Sequence, residues 1–284
     1  APHPGPLAGW RVLVPRGGPW GRRVARMLSE RGAEPVVVPL IEFAPPQDVA
    51  ALDGALVRAA GGGHTWVVVT SATTVGAVTG RLPHLHAQGL TSGDRWGEVL
   101  GGVRVAAVGP GTTRALTETG ARVDLEPSGE RSARGLVAEF PRPPRGPGPW
   151  RVLHPRSDLA DATLRTGLTA LGWEVDDVVA YRTVPGPPPP PQVGSDLTGG
   201  RVDAVLLTSA STVTHLVQRV GVPAAGTVVC CIGPRTREAA VDAGLGVDVV
   251  PGAASAEELL DALTAHALDN PRHRAGAGTP MGER

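Results

Sequence analysis

The apolar positions of this chain fall in short runs. Each leads through a Pro-, Gly- or hydroxyl-bearing turn into a stretch with helical spacing. Trp10-Arg-Val-Leu-Val14 reads as a strand, Pro15-Arg16 as its turn, and residues 20–31 as a helix closed by Gly32. Residues 34–43 then read as a second strand. The same succession returns at an offset of 140 positions: Trp150-Arg-Val-Leu-His-Pro-Arg156, a helix over 159–171, Gly172, and a strand over 174–184. Internal repetition constrains the fold more than any single motif does.

Two shorter repeats complete the pattern. Thr70-Ser-Ala-Thr-Thr-Val75 follows the apolar run Trp66–Val69 and corresponds to Thr208-Ser-Ala-Ser-Thr-Val213. Val108-Gly-Pro-Gly-Thr-Thr-Arg-Ala-Leu116 corresponds to Ile232-Gly-Pro-Arg-Thr-Arg-Glu-Ala-Ala240. Each repeat is an apolar strand, a polar turn and a helix start. Strands alternating with helices predict an α/β protein with parallel sheets covered by helices, and the duplication predicts two doubly wound domains. Pro141-Arg-Pro-Pro-Arg-Gly-Pro-Gly-Pro149 reads as a linker between the two halves. Pro185-Gly-Pro-Pro-Pro-Pro-Pro191 reads as a surface connection, with Ala44-Pro-Pro46 as its counterpart.

Composition narrows the chemistry. The 284 residues carry 27 basic and 27 acidic side chains, and every basic one is Arg. Without Lys there is no amine nucleophile for Schiff-base or pyridoxal chemistry, and no Gly-Lys-Ser/Thr phosphate loop. Zero net charge argues against a general nucleic-acid binder, which shows a basic excess. The apolar runs are too short to span a bilayer, and residues 1–6 lack the charged start and apolar core of a secretory leader, so the expected compartment is the cytoplasm. Cys230 and Cys231 are strand neighbours pointing to opposite faces, which suits buried, reduced thiols. No Cys or His spacing offers a metal site, and none is expected.

In open α/β sheets, ligands bind beyond the carboxyl ends of the strands. The turns expected there are Pro15-Arg16, Thr70-Ser71, Gly109–Thr113, Pro155–Asp158, Thr208–Ser211 and Gly233–Thr236. The ordinary role of each hydroxyl is to cap a helix. Their repetition points further, because helix N-termini with open N–H groups bind carboxylates or phosphates without Lys. Arg16, Arg156 and Arg235 can add forked contacts. Gly109-Pro-Gly111 is not a dinucleotide fingerprint, since Arg114 stands where the third Gly belongs. Asp158 and Asp161 are expected on one solvated helix face near the positive helix end, and His154 and His215 as locally satisfied side chains. Tyr181, the sole Tyr, lies where the chain leaves its strand for the proline run. A half-buried structural ring is its ordinary reading, although a phenol keeps its proton at neutral pH and can donate it.

Ala180-Tyr-Arg-Thr-Val184, the segment Ile232–Ala240 and the paired Thr-Ser-Ala turns, in their order across about residues 7–268, resemble the uroporphyrinogen-III synthase family. The resemblance implies two flavodoxin-like domains joined by a two-stranded antiparallel linker. Domain 1 would combine 7–40 with 186–268, domain 2 would hold 45–178, and the linker strands would be 41–44 and 179–185. Disordered tails are expected at 1–6 and 269–284. The implied reaction cyclises hydroxymethylbilane to uroporphyrinogen III, inverting the last pyrrole ring and losing water, on the route to heme, siroheme or cobalamin. No metal and no organic cofactor are implied. Tyr181 would protonate the departing hydroxyl, and Thr112, Thr236 and Thr208 would bind substrate carboxylates. Thr70, Ser71, Gly109, Arg156, Ser157, Ser209 and Arg16 are further substrate-binding candidates from the same turns. The expected partner is the linear tetrapyrrole octa-acid, handed over by the preceding pathway enzyme to a monomer that binds neither nucleic acid nor membrane. A non-catalytic two-domain sensor for a polyanionic ligand would use the same turns. The Tyr retained in the linker favours the enzyme.

Overall fold

Strand and helix alternate along the chain in the computed structural model, which describes residues 5–271. From the N-terminus come β1 (Arg11–Arg16), α1 (Gly18–Glu30), β2 (Glu34–Ala44), α2 (Val49–Ala60), β3 (Trp66–Val69) and α3 (Ala72–Ala87). Next are α4 (Trp96–Val99), β4 (Arg104–Ala107), α5 (Pro110–Glu118), α6 (Ala133–Glu139) and β5 (Arg151–Ser157). The remainder is α7 (Thr163–Leu171), β6 (Glu174–Pro185), α8 (Pro191–Thr198), β7 (Ala204–Leu207), α9 (Ala210–Arg219), β8 (Val228–Cys231), α10 (Pro234–Asp242) and α11 (Ala256–Asp269). The chain divides into two units, Ala1–Glu42 with Pro185–Arg284, and Phe43–Val184.

In the first unit the strands run β2-β1-β7-β8, and each of these pairs is parallel. A parallel bridge from Cys230 to Val249 adds a fifth position at the β8 edge. Successive strand residues alternate between faces. Val12, Val14, Ala204, Leu206 and Cys230 therefore pack under α1 and α11 with Val24, Leu28 and Leu260. Leu13, Val205, Leu207 and Cys231 pack on the other face with Leu197, Val213 and Leu216 of α8 and α9. Cys230 and Cys231 are free and buried, and burial raises both thiols, Cys231 to about 11.

The second unit repeats this plan as β6-β5-β3-β4, again all parallel, with a bridge from Ala106 to Leu125 at the β4 edge. One face buries Trp66, Val68 and Val152 against Leu136 of α6 and Leu164 and Leu168 of α7. The other buries Val67, Val69 and Leu153 against Leu52, Val75, Val78 and Trp96 of α2, α3 and α4. Each such side chain contributes roughly 1.5–3 kcal/mol on leaving water.

Four sequence expectations change. Pro15-Arg16 and Pro155-Arg156 belong to β1 and β5 and are not turns. Proline is tolerated there because β1 meets β7 only at Val12 and Leu13, and β5 meets β3 only at Val152 and Leu153, so neither ring lacks a ladder donor on that side. Pro141–Pro149 is a connection inside the second unit, between α6 and β5, and Trp173 Nε1 donates to Pro141 O at 2.7 Å. Helix α7 starts at Thr163, whose N–H is taken by Asp161 Oδ1 at 2.9 Å, so Asp158 and Asp161 precede the helix and do not share a face of it. The expected tails lie mostly outside the described residues. Their inner ends are ordered: Gly5 O accepts from Ala8 N at 2.8 Å, and Asp269 ends α11, whose Leu263 and Ala267 are buried.

Candidate active site

The strand order of each unit reverses direction at one place, where consecutive helices leave on opposite faces. In the first unit that place is between β1 and β7, and in the second between β5 and β3. Beyond the carboxyl ends of such strands an open α/β sheet has its natural crevice. The ladder between the two central strands ends early in both units, at Leu13↔Val205 and Val67↔Leu153. Counting on in register brings Thr208 level with Arg16 and Thr70 level with Arg156. Thus Arg16, Thr208 and Ser209 gather at the first unit's crevice, and Thr70, Ser71, Arg156 and Ser157 at the second's.

The helix starts there are of two kinds. At α3 and α9 the serines serve as caps: Ser71 Oγ accepts from Thr74 N at 3.1 Å, and Ser209 Oγ from Thr212 N at 3.2 Å. Thr212 closes a capping box, its Oγ1 accepting from Thr208 N and Ser209 N at 3.0 Å each. Thr74 and Thr212 are fully buried, and sequence reasoning passed over both. At α5 and α10 the caps are Gly109 and Gly233, without a side-chain bond, followed by Pro110 and Pro234. Thr112 and Thr236 take the third helical position in these two helices, and both side chains are largely buried. All four starts leave first-turn N–H groups without an intrahelical partner.

Thr208 differs from the capping serines. Its Oγ1 is buried and has no hydrogen-bond partner among the described residues. A desolvated hydroxyl without a partner is costly, so it marks a position that a ligand oxygen can satisfy.

A bulge sets Tyr181. β5 and β6 pair Arg156 with Val179 and then Ser157 with Tyr181, so two residues of β6 face one of β5. Bulges re-aim side chains in this way. Ala180 and Tyr181 consequently share one hydrophobic cluster, against simple alternation. The Tyr181 ring is buried and meets Phe43 edge-on at 5.2 Å. Its hydroxyl makes no hydrogen bond among the described residues. Asp158, read from sequence as a solvated helix-face charge, instead fixes the strand end beside this Tyr. Its N–H donates to Tyr181 O at 3.1 Å, and its Oδ1 accepts from Thr183 N at 3.0 Å. Asp158 follows Ser157 directly, and no sequence period marks such a tie.

Both cleft arginines have close neighbours within their own unit. Arg16 lies over the Trp20 ring at 4.7 Å. Arg156 donates from Nε to Asp177 Oδ2 at 2.7 Å and from Nη1 to Ser157 O at 2.8 Å. The other oxygen of Asp177 meets His154 Nδ1 at 2.8 Å. Burial alone would raise the Asp177 carboxyl, but the His154 and Arg156 hydrogen bonds outweigh it and hold it below its ordinary value. His154 is satisfied at one nitrogen only, because its buried Nε2 has no partner among the described residues. His215 is not satisfied as expected: its Nδ1 is buried without a partner among the described residues, and burial and Arg219 lower its affinity for a proton.

A sequence model described as Uroporphyrinogen-III synthase HemD matches residues 22–261. The chain belongs to the uroporphyrinogen-III synthase family. Members of this family are enzymes that cyclise hydroxymethylbilane, which decides against the non-catalytic sensor. A uroporphyrinogen-III synthase of Synechococcus elongatus is 29% identical over 244 residues, covering 81% of this chain and 85% of the relative. A solved mutant uroporphyrinogen III synthase of the extremely thermophilic bacterium Thermus thermophilus superposes with a TM-score of 0.62 at 20% identity, covering 92% of this chain and 99% of that one. The synthase of Helicobacter pylori gives 0.53 at 15% identity, covering 91% of this chain and 99% of that one. These two likenesses establish the mixed α/β fold. No helix among the described residues is long and apolar enough to cross a membrane.

Proposed function

We propose that the chain closes hydroxymethylbilane to uroporphyrinogen III, with Tyr181 as proton donor and the strand-end turns as carboxylate binders. The phenol gives its proton to the departing hydroxyl, which leaves as water. The resulting azafulvene is attacked by the substituted carbon of the last ring, and that ring inverts through a spiro intermediate. Ring closure releases one proton, which restores the phenol, so the net change is loss of water alone. The observation that carries the Tyr181 role is the bulge: it sets the phenol beside Ser157 at a strand end, ring buried and hydroxyl unbonded. A donor held in place can contribute a rate factor on the order of 10²–10⁴.

Most of the remaining work is holding a flexible polyacid in a reactive shape. Without Lys, this falls to N–H groups and Arg. In the first unit, Arg16, Thr208, Ser209 and Thr236 take carboxylates. In the second, Thr70, Ser71, Gly109, Thr112, Arg156 and Ser157 do so. Ser71 and Ser209 act through the helix starts they cap, whereas Thr208 offers its own hydroxyl. No metal or organic cofactor enters this scheme.

Each unit is a flavodoxin-like domain in this reading. Supporting it is the order of the strands and the added bridge: second-first-third-fourth-fifth in the first unit, and the circular permutation of that order, fifth-fourth-first-second-third, in the second. The linker is assigned to 41–44 and 179–185, between domain 1 (7–40 with 186–268) and domain 2 (45–178). In support, β2 and β6, at 11 and 12 residues the longest strands described, each cross the boundary between units. The enzyme is a cytoplasmic monomer that receives its substrate from the preceding pathway enzyme.

The test is to give the purified protein fresh hydroxymethylbilane and to separate the uroporphyrin isomers after oxidation. Isomer III should dominate, whereas isomer I alone at the spontaneous rate rejects the activity. Tyr181→Phe should lower kcat at least ~10-fold. An unchanged kcat would return Tyr181 to a purely structural role.

A further inference from the structure

The repeat carries its own control for one buried polar cluster. β1 and β2 pair Arg11 with Glu34 and Val14 with Val37, and β5 and β6 pair Arg151 with Glu174 and His154 with Asp177. The two ladders correspond rung for rung, so this strand pair forms with either an apolar or a His–Asp rung. Burying a carboxylate and an imidazole costs free energy unless both are well partnered. Here the imidazole keeps one nitrogen without a partner among the described residues. The rung therefore has a use beyond holding the strands together.

That use is visible at the next outward residue on the same face. Asp177 gives one oxygen to His154 Nδ1 at 2.8 Å and the other to Arg156 Nε at 2.7 Å. Arg156 Nη1 reaches Ser157 O at 2.8 Å, while Nη2 makes no hydrogen bond among the described residues. The guanidinium is thus held at Nε and Nη1, and Nη2 keeps its donors open toward a carboxylate. The Arg156 side chain retains 21% of its exposure. In the first unit Arg16 lies over the Trp20 ring, and the residue corresponding to Trp20 in the second unit is Ala160. The second unit has no aromatic ring at the position of Trp20 and has the Asp177 carboxylate at the position of Val37.

We propose that Asp177, braced by His154, is a positioning residue that fixes Arg156 to clasp one substrate carboxylate at the ends of β3 and β5. The proposal rests on Arg156 binding substrate, as assigned above.

The test is a double-mutant cycle on the full chain, with uroporphyrin III as the octa-acid probe and quenching of Trp fluorescence as the readout. One arm is Arg156→Ala. The other is His154→Val with Asp177→Val, which installs the pair the first unit already carries and so preserves folding. Each arm should weaken Kd about 10-fold, and their combination should weaken it no further, because both disable the same clasp. KM for hydroxymethylbilane should rise with Kd while kcat stays within about 2-fold, a split expected from lost ground-state binding. Wild-type affinity in the His154/Asp177 variant, or losses that multiply to about 100-fold in the combination, would overturn the proposal. So would a wild-type protein that does not bind the probe. Failure of the synthase reading itself shows separately, as isomer I alone in the isomer assay.

Discussion

At the scale of single residues, the candidate hydroxyls do two kinds of work that sequence could not separate. Ser71 and Ser209 look the same as Thr208 along the chain, yet the serines cap helices and Thr208 keeps a buried, unbonded Oγ1. Which hydroxyl is used up depends on the residue three or four positions on. Thr212 is the clearest case. Its hydroxyl accepts from two N–H groups and donates to Ser209 O at 2.7 Å, wholly away from water. Thr212→Val preserves shape and removes every one of these bonds. Buried N–H groups left without partners cost about 1–3 kcal/mol in total, so the urea midpoint should fall accordingly. KM should rise too, because the Thr208–Ser209 turn loses its anchor. A variant as stable as wild type would mean that water replaces the hydroxyl and the turn is not truly buried.

At the scale of elements, most of the strands were legible and the turns were less so. Short apolar runs and the 140-position repeat identify β1, β2, β5 and β6 to within a few residues, because burial on both faces demands continuous apolar sequence. Pro15 and Pro155 mark turns by propensity, but tertiary context overrides this where a strand has a free side. The bulge at Ala180-Tyr181 was not legible, since it depends on a register set by a neighbouring strand. Ion pairs across elements were equally hidden. Asp196 of α8 accepts from Arg201 Nε and Gln192 Nε2 at 2.7 Å each and from Arg11 Nη1 of β1 at 3.1 Å. These partners, Arg201 foremost, bring its carboxyl down from 3.8 to about 2. A carboxyl depressed in the folded state adds stability above its unfolded value, and that stability is lost as pH falls from 3.8 through about 2. Between about pH 5 and pH 3, wild type should therefore lose stability faster than Asp196→Asn, as read from urea midpoints. Parallel losses in the two proteins would show that the clamp is equally strong around a neutral carboxyl.

At the scale of the molecule, duplication is what made the architecture readable, and its permutation is what hid the partition. The chain presents two halves in succession, but each unit takes parts of both, so Pro141–Pro149 lies inside a unit and not between two. Core composition follows the unit and not the half. Each of the four buried clusters draws all its members from one unit: two flank the sheet of the first, two that of the second. A unit whose two cores are complete should fold by itself, and residues 43–184 form one uninterrupted segment. Expressed alone, 43–184 should unfold in urea in a single transition, superimposable by far-UV circular dichroism and by fluorescence. The fluorescence probe is built in, since Trp66 and Trp96 are buried in the two different cores of this unit. Coincidence of the two probes then reports that both faces of the sheet melt together. Separated transitions, or a compact state with dye-accessible apolar surface and no near-UV signal, would show that β6 and α2 need the rest of the chain to set their packing.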